Sequence, residues 1–229
     1  MLSQPASSLT DLALGLVTLW LAARLQPMPG VHRYWKLTFW WAGAAALAGA
    51  VHHGFVTYSD RWSGPSWAVI STMVVVTVSY LLAASVEEVL GPGHARAFWV
   101  LRSVGLVAYI ALAVSGHAGV GAILLCEGLT MLCVLALWGK AAHDRNPLAG
   151  PVILAIAASG AAAGVRAASG GVAGLVGLDP TSLYHLAQIP GMVLLYAAVT
   201  GVWVARRDAP ALAVSRPETQ DEAVGSRQR

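Results

Sequence analysis

The chain has 229 residues, of which 57% are hydrophobic and only 11% are charged, and its formal net charge is +3. So few charged residues cannot cover the surface of a soluble domain of this size. The composition therefore excludes an ordinary soluble enzyme and indicates an integral membrane protein. The small positive charge is explained by topology and by attraction to anionic lipid. We therefore predict a multi-pass protein of the cell membrane with membrane lipid as its partner and no nucleic-acid partner.

Seven apolar runs predict seven transmembrane helices, because about 20 apolar residues cross a bilayer core of about 30 Å. The runs cover residues 9–27, 36–58, 67–89, 97–116, 119–139, 151–169 and 181–204. Turn-forming residues separate them at Gln26–Gly30, Ser63–Pro65, Gly91–Gly93, Asn146–Pro147 and Asp179–Pro180. Only Ser115–Gly119 divides the fourth run from the fifth, and a single bent helix there is the alternative. The prediction is an all-α membrane bundle over 1–207, followed by a disordered polar cytoplasmic tail over 208–229.

The distribution of basic residues predicts the orientation of the bundle. We call the membrane side that holds the amino terminus face A, and the opposite side face B. The face B loops and ends carry Arg24, Arg33, Lys36, Arg96, Lys140, Arg145, Arg206 and Arg207, whereas face A carries Arg61 and Arg166. Because cytoplasmic loops are enriched in Lys and Arg, the amino terminus is predicted outside and the carboxyl terminus inside.

Ionisable residues inside the apolar runs are the clearest functional signal. Asp11 lies early in the first run, His52 and His53 near the end of the second, and His185 early in the seventh. Alternating helix directions place all four near face A. A charge inside the bilayer costs about 2.5–3.5 kcal/mol, so pairing or function should account for it. The structural alternatives are a helix-dipole role for Asp11 and histidines bonded to helix carbonyls.

Two further charged residues have open interpretations. Arg166 lies near the end of the sixth run at face A, and Glu127 lies about two turns deeper in the fifth. They predict a buried ion pair that locks two helices. Alternatively, Glu127 acts as a general base and Arg166 contacts a lipid headgroup. Gln188, one turn after His185, is expected to orient water or substrate.

Two short segments resemble a known superfamily. Ala50–Phe55 at the end of the second run and Leu178–Leu186 at the start of the seventh look like segments of the alkaline ceramidase and progestin/adipoQ receptor superfamily of seven-helix membrane hydrolases. In that superfamily a histidine in helix two and an HxxxH pair in helix seven hold zinc. Tyr184–Leu186 is similar to the second half of that pair. Thr10–Asp11 and His185–Gln188 suggest a bacterial branch.

The resemblance implies a membrane-embedded, zinc-dependent hydrolase of a lipid ester or amide. The chain departs from the superfamily pattern, because Thr181 stands where the first histidine of HxxxH is expected. Gly49 or Ala48 replaces a serine of helix two, and only Asp60 represents a downstream aspartate.

These departures leave the third metal ligand open, since a catalytic zinc has three protein ligands and one open position. Asp11, Glu127 or the second of the adjacent pair His52 and His53 is the candidate, with Asp11 or Glu127 as general base. Two other functions stay open from the sequence. One is a non-catalytic bundle that binds or senses lipid, and the other is a haem protein with two axial histidines.

Overall fold

The computed structural model describes residues 2–28, 31–117, 119–167 and 177–201. These residues form seven α-helices: α1 Pro5–Leu25, α2 Arg33–Val51, α3 Asp60–Leu90, α4 Ala95–Val114, α5 Val120–His143, α6 Ala149–Ala167 and α7 Pro180–Val199. The predicted helical architecture is confirmed, including the separation of the fourth helix from the fifth. The predicted tail, 208–229, lies outside the described residues.

Five of these helices are long and apolar enough to cross a membrane: α1, α3, α4, α5 and α7. The sixth helix supplies a shorter apolar stretch, Ala149–Gly164. This length and composition indicate a membrane protein. Seven crossings and the direction of the bundle stay predictions.

Six helices close a ring in the order α1, α2, α3, α5, α6, α7, while α4 packs outside the ring, mainly on α5. Helices α1 and α2 approach closely because a glycine of each helix faces a leucine of the other. A Cβ added at Gly15 would lie 2.7 Å from Leu47, and one at Gly43 would lie 2.7 Å from Leu19. Glycine at a helix interface allows this separation. The ring therefore has a tight α1–α2 side and an interior that the remaining helices enclose.

One predicted boundary is wrong. Ser63–Pro65 lies within α3, which begins at Asp60 after the extended residue Ser59 (φ −103°, ψ 107°). Pro65 has no amide hydrogen, so the helix loses the one hydrogen bond that this residue would donate. One missing bond near a helix start does not end the helix, and the chain turns instead at residues 57–59.

The end of α2 changes its winding over His52–Val56, which forms a π-helical turn. The amide of Thr57 donates to the carbonyl of His52, five residues back, at 3.1 Å. The amide of Gln4 donates to the carbonyl of His53 at 3.0 Å, so the segment before α1 packs on this turn. π-Turns are rare and occur frequently at functional sites.

Candidate metal centre

Three side chains converge inside one end of the ring: Asp11 from α1, His53 from the π-turn and His185 from α7. Each offers one ligand atom, and these atoms lie within 4.8 Å of one another. His185 Nε2 lies 3.3 Å from Asp11 Oδ1, and His53 Nε2 lies 3.8 Å from Asp11 Oδ2. Asp11 and His185 are buried, and His53 is partly buried. We call these three residues the Asp–His–His cluster.

Neighbouring polar groups fix the orientation of both imidazoles. His53 Nδ1 lies 2.7 Å from the amide oxygen of Gln4, which can only accept, so Nδ1 carries the hydrogen. Thr10 Oγ1 donates to the carbonyl of Ala6 at 2.9 Å, so its oxygen accepts from His185 Nδ1 at 3.4 Å. Nε2 of each ring therefore faces Asp11. Partners of this kind orient histidine ligands in metal sites.

This arrangement places two imidazole nitrogens and a carboxylate around one point. A hydrogen shared between an imidazole and the carboxylate suits these contacts, and so does a metal ion bound by all three groups. A tetrahedral zinc ion with bonds of about 2.0–2.1 Å separates its ligand atoms by about 3.4 Å. The 3.3 Å between His185 and Asp11 agrees with that separation, and the 3.8 Å between His53 and Asp11 exceeds it, so binding of zinc would draw His53 inward. Two imidazoles and one carboxylate are a zinc ligand set of the catalytic type, with the fourth position open.

Gly49 of α2 makes room for the carboxylate. A Cβ added at Gly49 would lie 2.5 Å from Asp11 Oδ2. Any larger residue would therefore move Asp11 away from its place between the two histidines. This position therefore requires a residue with no side chain.

A cavity of about 380 Å³ extends from the Asp–His–His cluster into the centre of the ring. Gln188 and Tyr184 line it beside the cluster, so the structure brings the predicted Gln188 next to the candidate ligands. The rest of the wall is mainly apolar and includes Leu14, Ile70, Val74, Leu81, Ile123, Met131 and Leu195. The cavity thus combines one polar end with an apolar interior, as sites for amphiphilic ligands do.

Residues 6–202 match a protein family, and this range contains every helix except the first residue of α1, together with the whole Asp–His–His cluster. The chain belongs to DUF6962, a family of unknown function. No curated protein and no solved structure matches the chain. The resemblance to alkaline ceramidases stays a prediction, and membership of the family assigns no function to this DUF6962 protein.

His52 points away from the cluster. Its Nδ1 lies 3.1 Å from Ser66 Oγ, and its ring lies 5.6 Å from that of Trp67, both in α3. Adjacent residues on a helix point roughly 100° apart, so only one of the two histidines can face the ring interior at this level. In this DUF6962 protein that residue is His53. The structure does not bring His52 together with Asp11 and His185.

Glu127 of α5 pairs with Arg102 of α4. Its Oε1 lies 3.2 Å from Arg102 Nη2, and Arg102 Nη1 donates to Thr130 Oγ1 at 2.6 Å. Arg102 and Glu127 are both buried, at the contact between α4 and α5. Glu127 therefore pairs with Arg102, a contact that was not predicted, and its expected pairing with Arg166 stays a prediction. The side chain of Arg166 lies outside the described part of the protein.

Asp179 joins the starts of α1 and α7 beside the cluster. It caps α7 by accepting from the amides of Thr181 and Ser182, each at 3.0 Å, and it accepts from Ser7 Oγ at 3.1 Å. Burial acts to raise the pKa of Asp179, but hydrogen bonds from Ser182, Ser7 and Thr181 outweigh burial and hold that pKa below its ordinary value. This network fixes α7 where it presents His185.

Proposed function

We propose that this protein is a membrane-embedded, metal-dependent hydrolase that cleaves a lipid ester or amide. Zinc would be held by Asp11, His53 and His185. The observation that carries the proposal is the meeting of these three ligands at the polar end of an otherwise apolar cavity. A carbonyl at the cluster and an acyl chain in the cavity would suit an amphiphilic substrate.

The chemistry needs a nucleophile and a route for one proton. When bound, zinc lowers the pKa of water toward 7 and polarises a carbonyl group. Asp11 has two oxygens, and the second would accept the proton of the attacking water. The water oxygen then bonds to the carbonyl carbon, the carbon–oxygen or carbon–nitrogen bond breaks, and Asp11 returns the proton to the leaving group. Gln4 and Thr10 would hold each imidazole with its Nε2 directed toward Asp11.

Gln188 is proposed to bind the substrate. It lies one turn after His185 and lines the same cavity, so its amide can donate a hydrogen bond to a carbonyl held at the cluster. Glu127 is not among the described residues that line this cavity. We therefore assign the general base to Asp11, and a headgroup contact by Arg166 stays a prediction.

Two alternatives make different demands on the site. A lipid-binding or sensing bundle needs the cavity but no ion. A haem with two axial histidines needs an iron and its porphyrin between the imidazoles. Asp11 lies 3.3 Å and 3.8 Å from the two Nε2 atoms, in the space that such a group would require. This geometry favours a small cation over haem.

The test is hydrolysis by the purified, zinc-loaded protein in mixed micelles that contain fluorogenic lipid esters and amides. Replacing Asp11 with Asn or His185 with Gln should lower the rate at least about 100-fold, as expected for loss of a general base or a ligand. Glu127→Gln, compared per folded molecule, should retain the rate within a small factor. A fully zinc-loaded wild type that cleaves neither lipid class would favour the lipid-binding alternative. An equal loss in Glu127→Gln and Asp11→Asn would contradict the assignment of the base.

A further inference from the structure

Thr18 of α1 has a buried hydroxyl that its own helix does not use. The residue is 1% exposed, it lines the cavity, and its Oγ1 has no hydrogen-bond partner among the described residues. Five other helical threonines donate to the carbonyl four residues earlier: Thr10, Thr38, Thr72, Thr77 and Thr130. An unsatisfied buried polar group costs about 1–3 kcal/mol. A ligand group that hydrogen-bonds to the Thr18 hydroxyl would therefore bind favourably. Such a group can approach Thr18 from the cavity.

The position of Thr18 defines what kind of partner this is. Thr18 follows Asp11 by seven residues, which places it two turns deeper on the same face of α1, about 10 Å along the axis. Leu14 lines the cavity between them. Thr38 also lines the cavity, and because its hydroxyl hydrogen is donated to the carbonyl of Tyr34, only its oxygen is left to accept. The mainly apolar wall of the cavity therefore contains a polar position, at Thr18 and Thr38, about two helical turns below the cluster.

We propose that Thr18 selects an acyl chain that carries an oxygen function, a hydroxyl or keto group, about 10 Å from the carbonyl group at the cluster. This inference rests on the proposed function, because that function places the carbonyl beside Asp11. Thr18 is then a specificity-determining residue. A plain hydrocarbon chain fills the same space but leaves the Thr18 hydroxyl without a partner.

The test compares two ligands that differ only in that oxygen. Octanoate and its ω-hydroxy derivative, whose extended chain matches the distance from the cluster to Thr18, are titrated calorimetrically into the full-length, zinc-loaded protein in detergent micelles. For wild type the hydroxy acid should bind about two- to tenfold more tightly, the range of one net hydrogen bond. Thr18→Val, which keeps the shape of the side chain, should abolish the preference. Thr77→Val is the matched control, because Thr77 lines the same cavity but donates to the carbonyl of Met73.

Each other outcome overturns the inference. Equal affinities in wild type, or a preference that survives in Thr18→Val, would remove Thr18 from recognition. An equal loss of preference in Thr77→Val would make the effect a general one of cavity polarity. Absence of binding by both acids would exclude an acyl chain from the cavity. The metal content and the hydrolysis rate of the same samples report separately on the proposed function, so a Thr18-dependent preference without hydrolysis would reject only that function.

Discussion

Replacing Arg102 with alanine should destabilise the protein strongly. Arg102 is 2% exposed, and its guanidinium contacts Glu127 and Thr130 at 3.2 Å and 2.6 Å. Removing one partner of a buried ion pair costs about 3–5 kcal/mol, because the other charge stays buried. In the variant, the Glu127 carboxylate can avoid this penalty by binding a proton. At pH 7 that costs about 3.7 kcal/mol for a glutamate with the ordinary pKa of about 4.3, which limits the penalty to about 4 kcal/mol.

The free energy of unfolding is measured in mixed micelles by titration with a denaturing detergent and detection of tryptophan fluorescence. Arg102→Ala should lose about 2–4 kcal/mol. Adding Glu127→Gln in the same chain should restore part of this loss, because no charge is then left unpaired. The loss should also shrink at pH 5, where protonating an ordinary glutamate costs only about 1 kcal/mol.

Arg96→Ala is the matched control, since Arg96 lies on the same helix but is exposed. It should change the free energy of unfolding by less than about 0.5 kcal/mol. Similar losses in Arg96→Ala and Arg102→Ala would refute the argument from burial. Losses that simply add when Arg102→Ala and Glu127→Gln are combined would refute the pair.

Two further predictions concern the cluster and its support. Gly49→Ala should lower zinc affinity at least about tenfold in a chelator competition, because it displaces Asp11. Gly64→Ala, where a Cβ meets nothing within 4 Å, should not, and equal affinities in both variants would count against the geometry of the cluster. Because folding lowers the pKa of Asp179, its ionised form contributes stability that is complete above the unfolded pKa of about 3.9 and is lost as pH falls through the lower folded pKa. Asp179→Asn should therefore lose less stability than wild type between pH 5 and pH 3, and parallel losses would contradict this.

The helices and the depth of the charged residues could be predicted from the sequence. Hydrophobic runs fix helix lengths, and alternating directions put Asp11, His53 and His185 at one level. The choice of His53 over His52 could not be predicted, because it depends on the π-turn that ends α2. The contact between Gln4 and His53 could not be predicted either, because nothing in the local sequence of Gln4 indicates it.

The contact of Glu127 with Arg102 was not predicted, for a related reason. Depth along the membrane follows from the sequence, but the direction in which a residue faces its neighbours depends on helix order. The fourth helix lies outside the ring and covers the side of α5 that carries Glu127. A signal was present, since Arg102 is a basic residue within an apolar run and needs a counter-charge there.

The central claim is that Asp11, His53 and His185 hold one metal ion. The most direct measurement is the metal content of the purified protein after zinc loading and removal of excess zinc, by inductively coupled plasma mass spectrometry. Wild type and His52→Gln should each retain about one zinc per chain, whereas His53→Gln should retain much less, because an adjacent histidine that faces Ser66 is no ligand. No zinc in wild type, or equal zinc in His52→Gln and His53→Gln, would contradict the account.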